Sequence, residues 1–152
     1  MLTIHSLLTP ETVLINPEAE DKAMLVKMMI AALGSCGKVT DLEKLYLDVM
    51  TREDLSSTGL GYGCAVPHAH SDAVTDTVIA AVVTDQGIDF NSPDGDPARL
   101  IFLIVGPKHH TRLHLKLLSK MARFLHDQDF RENLKQARTP GDFLNLLTER
   151  ED

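Results

Sequence analysis

The chain has 152 residues, enough for one hydrophobic core to form without metal or disulfide staples, so a single domain spanning 1–152 is expected. Its formal net charge is −7 with no basic run, which excludes the average surface as a partner for nucleic-acid phosphates and leaves an acidic face for a basic protein. Met1-Leu2-Thr3-Ile4-His5 carries no positive leader and the longest apolar runs are strand length, so the expectation is a cytoplasmic protein without signal peptide or membrane insertion.

Val13-Leu14-Ile15, between Pro10 and Pro17, reads as a first or edge strand. From Asp21 the apolar residues Met24, Leu25, Met28, Met29, Ala32 and Leu33 recur at helical period, and Gly34 offers the stop. Thr40-Asp41-Leu42-Glu43 has the form of a capping box, which predicts a second helix from Asp41 to near Arg52 with Leu42, Leu45, Tyr46 and Met50 inward. Arg52 then sits at a helix C-terminus, where its charge suits the dipole, and Glu53 and Asp54 read as solvated. Cys36 and Cys64 lack redox or zinc-pair spacing and read as reduced thiols.

The stretch Ser56-Ser57-Thr58-Gly59-Leu60-Gly61-Tyr62-Gly63-Cys64-Ala65-Val66-Pro67-His68-Ala69-His70 reads as a site. Gly59, Gly61 and Gly63 let the backbone take positive φ and turn its N–H groups toward an anion. The hydroxyls of Ser57 and Thr58 offer further donors, Cys64-Ala65-Val66 is a short buried strand, and Pro67 stiffens its exit before His68. A neutral imidazole is a good nucleophile near pH 7, and phosphorus is the electrophile that asks little more of a protein than aim and donors. The plainer reading is a glycine turn and an ordinary loop histidine; composition alone does not choose between the two.

Further along, Thr77–Thr84 and Leu100–Val105 are apolar throughout, the mark of strands buried on both faces, and Asn91–Pro97 is a turn-rich surface loop. From Thr111 a helix carries His114, Leu117, Leu118, Met121, Phe124 and Leu125 on one face. His114 is either a core histidine satisfied by a hydrogen bond or a neutral imidazole that orients His68 or donates to phosphoryl oxygens. Asp127 can cap the next helix, and Thr139-Pro140 opens the last one. Helices around two-faced strands predict an α/β protein, a three-layer α/β/α sandwich.

Arg52-Glu53-Asp54-Leu55-Ser56-Ser57-Thr58-Gly59-Leu60-Gly61-Tyr62-Gly63-Cys64-Ala65-Val66-Pro67-His68 resembles the signature of the fructose/mannitol type of enzyme IIA (EIIA type-2) of the bacterial phosphotransferase system, including its nitrogen-regulatory branch. Gly87-Ile88-Asp89-Phe90, Asp94-Gly95, Leu100–Val105, His114–Leu118 and Phe130-Arg131 extend the resemblance over nearly the whole chain. The resemblance implies a small mixed sheet with the reactive histidine at its rim. It implies that His68 takes a phosphoryl group from phosphorylated HPr or its nitrogen-branch counterpart and passes it to a IIB component, or uses it as a signal to a regulated target. By the same resemblance His114 and Arg52 stabilise the group in transit, Ser57, Thr58, Gly59, Gly61 and Gly63 shape the pocket, and no metal or organic cofactor takes part. Two departures stand out: His70 replaces a common lysine or arginine, and Tyr62 a common asparagine.

Two other readings follow from the residues. A binding module without a transport role would use the charge of phosphorylated His68 as a switch. A metal site would need His68 and His70, on one side of an extended segment, joined by Cys64, His109, His110 or His114.

Overall fold

The computed structural model describes residues 3–151. In chain order the elements are β1 (Val13–Ile15), α1 (Lys22–Leu33), α2 (Leu42–Leu55), β2 (Gly59–Gly61), β3 (Cys64–Ala65), β4 (His68–His70), β5 (Val78–Ile88), β6 (Ala98–Gly106), α3 (Thr111–His126), α4 (Gln128–Lys135) and α5 (Pro140–Glu151).

β5 and β6 pair antiparallel through the middle of a mixed six-stranded sheet, β1 runs parallel to β5, and β3 and β4 run parallel to β6. Because side chains alternate along a strand, the two apolar runs divide between two cores. Ile79, Ala81, Val83, Leu100, Phe102 and Ile104 pack against α3, α4 and α5, while Val78, Ala80, Val82, Ile101, Leu103 and Val105 pack against α1 and α2. The chain is therefore an α/β/α sandwich, as its apolar strands predict.

β3 and β4 lie end to end along one edge of β6, with Ala65 opposite Ile101 and His68 opposite Ile104. Between them Pro67 has no N–H for the ladder, yet its carbonyl accepts from Ile104 N at 3.0 Å. The strand is broken without leaving the sheet, and it resumes as His68-Ala69-His70.

α1 stops at Leu33 with Gly34 as its cap, as expected, and a 3-10 segment then runs on to Cys36 before Gly37, at φ 74°, turns the chain. Two local expectations are corrected. Asp41, not Thr40, caps α2 by accepting from Lys44 N, while the Thr40 hydroxyl donates to the Ala73 carbonyl. β5 runs on beyond the expected Thr77–Thr84 stretch, through a register shift after Val83, to Ile88. Asp127 and Thr139 cap their helices as expected, and Asp21, where the helical period begins, caps α1 by accepting from Met24 N.

The fully buried carboxylate of Glu151, at the end of α5, ties the two ends of the chain together: it accepts from the backbone N–H groups of Ile4 and His5 at 2.7 Å and pairs with Lys120 at 3.0 Å. Burial pushes this carboxyl up, but the His5 and Ile4 N–H groups, Lys120 and the His5 ring together hold it below its ordinary 4.5. Its stabilisation is thus complete above pH 4.5 and is lost as pH falls through the lower folded value. Glu151→Ala is expected to lose about 2 kcal/mol in urea unfolding at pH 7, and less at pH 3.

Candidate functional site

β4 presents His68 and His70 on the sheet face covered by α3, while Ala69 between them enters the opposite core. His114, in the first turn of α3, is 2% exposed and meets both rings. Its centroid lies 5.7 Å from that of His68 and 4.2 Å from that of His70. The departure at position 70 is therefore part of the cluster, a stacking partner that the two-residue strand period could have signalled.

The His68 ring is fixed by a 2.7 Å contact between Nδ1 and the Val66 carbonyl. A carbonyl can only accept, so Nδ1 carries the proton and Nε2 keeps its lone pair. Burial lowers the pKa of His68, the Val66 carbonyl opposes that, Arg52 adds to it, and the net shift is downward from 6.5. The neutral ring is therefore favoured at pH 7, with the lone pair on Nε2.

His114 does not make the hydrogen bond that a satisfied core histidine needs, because neither ring nitrogen has a partner among the described residues. Burial first, then His70 and His68, push its pKa down to about 4. Buried polar atoms without partners are uncommon, which sets His114 apart from an ordinary core histidine.

Arg52 sits in the last turn of α2, where Nη1 donates to the Ser56 carbonyl at 3.1 Å. It borders a hollow of about 470 Å³ with His68, His70 and His114, and a smaller one of about 260 Å³ with His68, Ser57, Thr58 and Gly59. Lys44 and Lys108 add positive charge to the larger hollow and Asp48 opposes it, while Leu55, Leu60 and Leu115 stand exposed around both.

Glu53, expected to be solvated, is only 4% exposed. Its carboxylate pairs with Lys22 at 3.0 Å and accepts both the backbone N–H and the hydroxyl of Thr58. The spacing 45, 49, 53 continues the inward stripe of α2 and is the signal that reveals it. The hydroxyls of Ser57 and Thr58 are not free donors: Ser57 donates to the Phe90 carbonyl and Thr58 to Glu53. Gly59 gives its N–H to Ser57 Oγ, and any Cβ there would collide with Ser92 and the Phe90 carbonyl, so this position lets the segment cross the 90–92 loop.

Gly61 and Gly63 take the positive φ expected of them, at 87° and 75°, and Gly59 does not. Gly61 packs beside Asp94 and Gly63 beside Lys135, and neither borders the hollows at His68. The glycine connection is thus divided between two places. Cys36 and Cys64 are free thiols. Among the described residues no three His, Cys, Asp or Glu side chains are grouped to hold a metal ion, and no helix is long and apolar enough to cross a membrane.

A family model described as "Phosphoenolpyruvate-dependent sugar phosphotransferase system, EIIA 2" matches residues 6–150. The fructose-specific EIIA component of Haloferax volcanii is 31% identical over 149 residues, covering 97% of each chain. The fructose-specific EIIABC component of Bacillus subtilis is also 31% identical over 97% of this chain, which spans only 23% of that protein's length. Among solved structures, nitrogen regulatory protein IIA-Ntr of Neisseria meningitidis superposes with a TM-score of 0.88 at 28% identity, covering 95% of this chain and 98% of that one. The mannitol enzyme IIA of Escherichia coli, solved in complex with phosphorylated enzyme IIB, gives 0.80 at 25% identity, covering 94% and 98%.

The three imidazoles should be distinguishable by nitrogen-15 NMR. At pH 7 His68 is expected to show a protonated Nδ1 and a bare Nε2, and His114 to stay neutral down to pH 5, with protonation only toward about 4. Because both folded values lie below 6.5, the unfolded chain binds more protons over that interval and stability should fall as pH drops from 6.5 toward 4. A His114 signal that titrates at 6.5 would contradict its placement.

Proposed function

The chain belongs to the EIIA 2 family of the phosphoenolpyruvate-dependent sugar phosphotransferase system, and on that footing we propose that it is a phosphocarrier with His68 as the phosphoryl acceptor. The 2.7 Å bond from Nδ1 to the Val66 carbonyl carries this reading, because it leaves Nε2 as the one nucleophilic atom of His68. Nε2 attacks the phosphorus of a phosphohistidine donor, the nitrogen–phosphorus bond of the donor breaks, and its electron pair returns to the donor imidazole. The His68 ring takes on positive charge, which the Val66 carbonyl stabilises through the Nδ1 proton. Arg52 meets the negative oxygens of the group in flight, and a neutral His114 donates to one of them, which would satisfy a nitrogen now without a partner.

Ser57, Thr58 and Gly59 act through the backbone they hold, and Gly61 and Gly63 through the turn that leads into β3. The donor is HPr or its nitrogen-branch counterpart, and the exposed Leu55, Leu60 and Leu115 form the apolar rim against which it docks. The acceptor is a cysteine of a IIB component, by analogy with the relative solved in complex with enzyme IIB. The chain works as one domain in the cytoplasm and needs no metal or organic cofactor, since the phosphoryl group arrives activated. A second reading, a regulator switched by the charge on His68, is favoured by the likeness to IIA-Ntr.

Phosphorylated HPr should label the protein with a phosphate stable to base and labile to acid. His68→Ala is expected to take up none, and Arg52→Gln and His114→Ala to slow uptake by about 10²-fold each. Undiminished labelling of His68→Ala would refute the assignment, and capture of partners in both phosphorylation states separates transport from regulation.

A further inference from the structure

A second polar hollow, of about 400 Å³, shares no lining residue with those at His68. Arg99, Arg131 and Lys135 line it, with Asp96 and Glu132 as its acids. Arg131 is its unusual member: it is 7% exposed, and no carboxylate pairs with it among the described residues. Buried charges are ordinarily paired, because desolvation is costly.

The guanidinium uses one edge only. Nη1 donates to the Leu125 carbonyl at 2.7 Å, and the Tyr62 ring covers one face at 4.7 Å. Nε is buried without a partner, and Nη2 makes no hydrogen bond among the described residues. Nε and Nη2 form the side-on fork that matches two oxygens of a tetrahedral or planar anion. Lys135 holds the Tyr62 carbonyl at 3.1 Å and reaches the half-exposed Glu132 at 3.4 Å, so its position is fixed while its charge is only partly matched. Gly63 keeps the space open, since a Cβ there would lie 3.0 Å from Lys135 Nζ.

We propose that this hollow binds the phosphate group of a small metabolite or free phosphate, held by the Nε/Nη2 fork of Arg131 with Lys135 and Arg99. A dianion with several oxygens suits three cations better than a lone carboxylate does. In a chain of net charge −7 a hollow with three cations against two acids, and a buried Arg131 that no carboxylate pairs among the described residues, have no bulk electrostatic origin.

The test is a titration of the full chain with inorganic phosphate and, separately, glucose 6-phosphate at constant ionic strength, with potassium chloride as control. The Arg131 Nε–H and the Tyr62 and Gly63 amides report on this hollow, and the His68 and His114 rings on the other. Saturable shifts at the first set are expected, weakened about tenfold or more, a loss of about 1.4 kcal/mol or more, in both Arg131→Lys and Lys135→Ala. Tighter binding of the ester would identify a metabolite, and equal binding free phosphate. If Arg131→Lys does not fold, Arg99→Ala and Lys135→Ala carry the comparison, both being at the rim. A linear drift like that of chloride, or saturation unchanged in the variants, would overturn the proposal.

Discussion

The hydrogen bond between His68 Nδ1 and the Val66 carbonyl is the constraint from which the candidate site follows. On the edge of β6 the Pro67 carbonyl, not that of Val66, accepts from Ile104 N, while the Val66 N–H donates to the Thr58 carbonyl. The Val66 carbonyl accepts from His68 Nδ1 instead, and since a carbonyl can only accept, that contact decides which nitrogen of His68 keeps its lone pair.

Around that ring the protein places groups that burial keeps uncharged. His114 is neutral because desolvation and two neighbouring imidazoles resist its protonation, and His70 lies against it with ring centroids 4.2 Å apart and planes tilted by 38°. The cations come from the rim, from Arg52, Lys44 and Lys108, where solvent lowers the cost of their charge. The site therefore carries positive charge at its rim and neutral nitrogen within. The lone buried carboxylate nearby, Glu53, is neutralised by Lys22 and spends its remaining capacity on Thr58, so it fastens the loop after α2.

The family relation and the geometry constrain different things. Membership of the EIIA 2 family is carried by the match across residues 6–150, and likeness to both a mannitol and a nitrogen-regulatory IIA leaves the partner to surface chemistry. That chemistry includes the imidazole at His70 and the aromatic ring at Tyr62. The first is stacked on His114 and the second on Arg131, so each is built into a cluster.

Much of this protein was legible in one dimension. Two runs of β-branched and aliphatic residues announced strands covered on both faces, and the alternation inside those runs is what separates the two cores. Caps at Asp127 and Thr139 and the left-handed turns at Gly61 and Gly63 were also readable, because each depends on residues within a few positions. The helical spacing hinted at the inward position of Glu53, but its charge partner was not readable, since Lys22 is 31 residues away. Nor was the commitment of the Ser57 hydroxyl to the Phe90 carbonyl, 33 residues on. The same holds for the division of the glycine loop between the His68 hollows and the Arg131 hollow. Local stereochemistry is written in adjacent residues, whereas the partner of a buried charge or hydroxyl is whatever the packing of distant segments brings to it, and only the folded chain decides that.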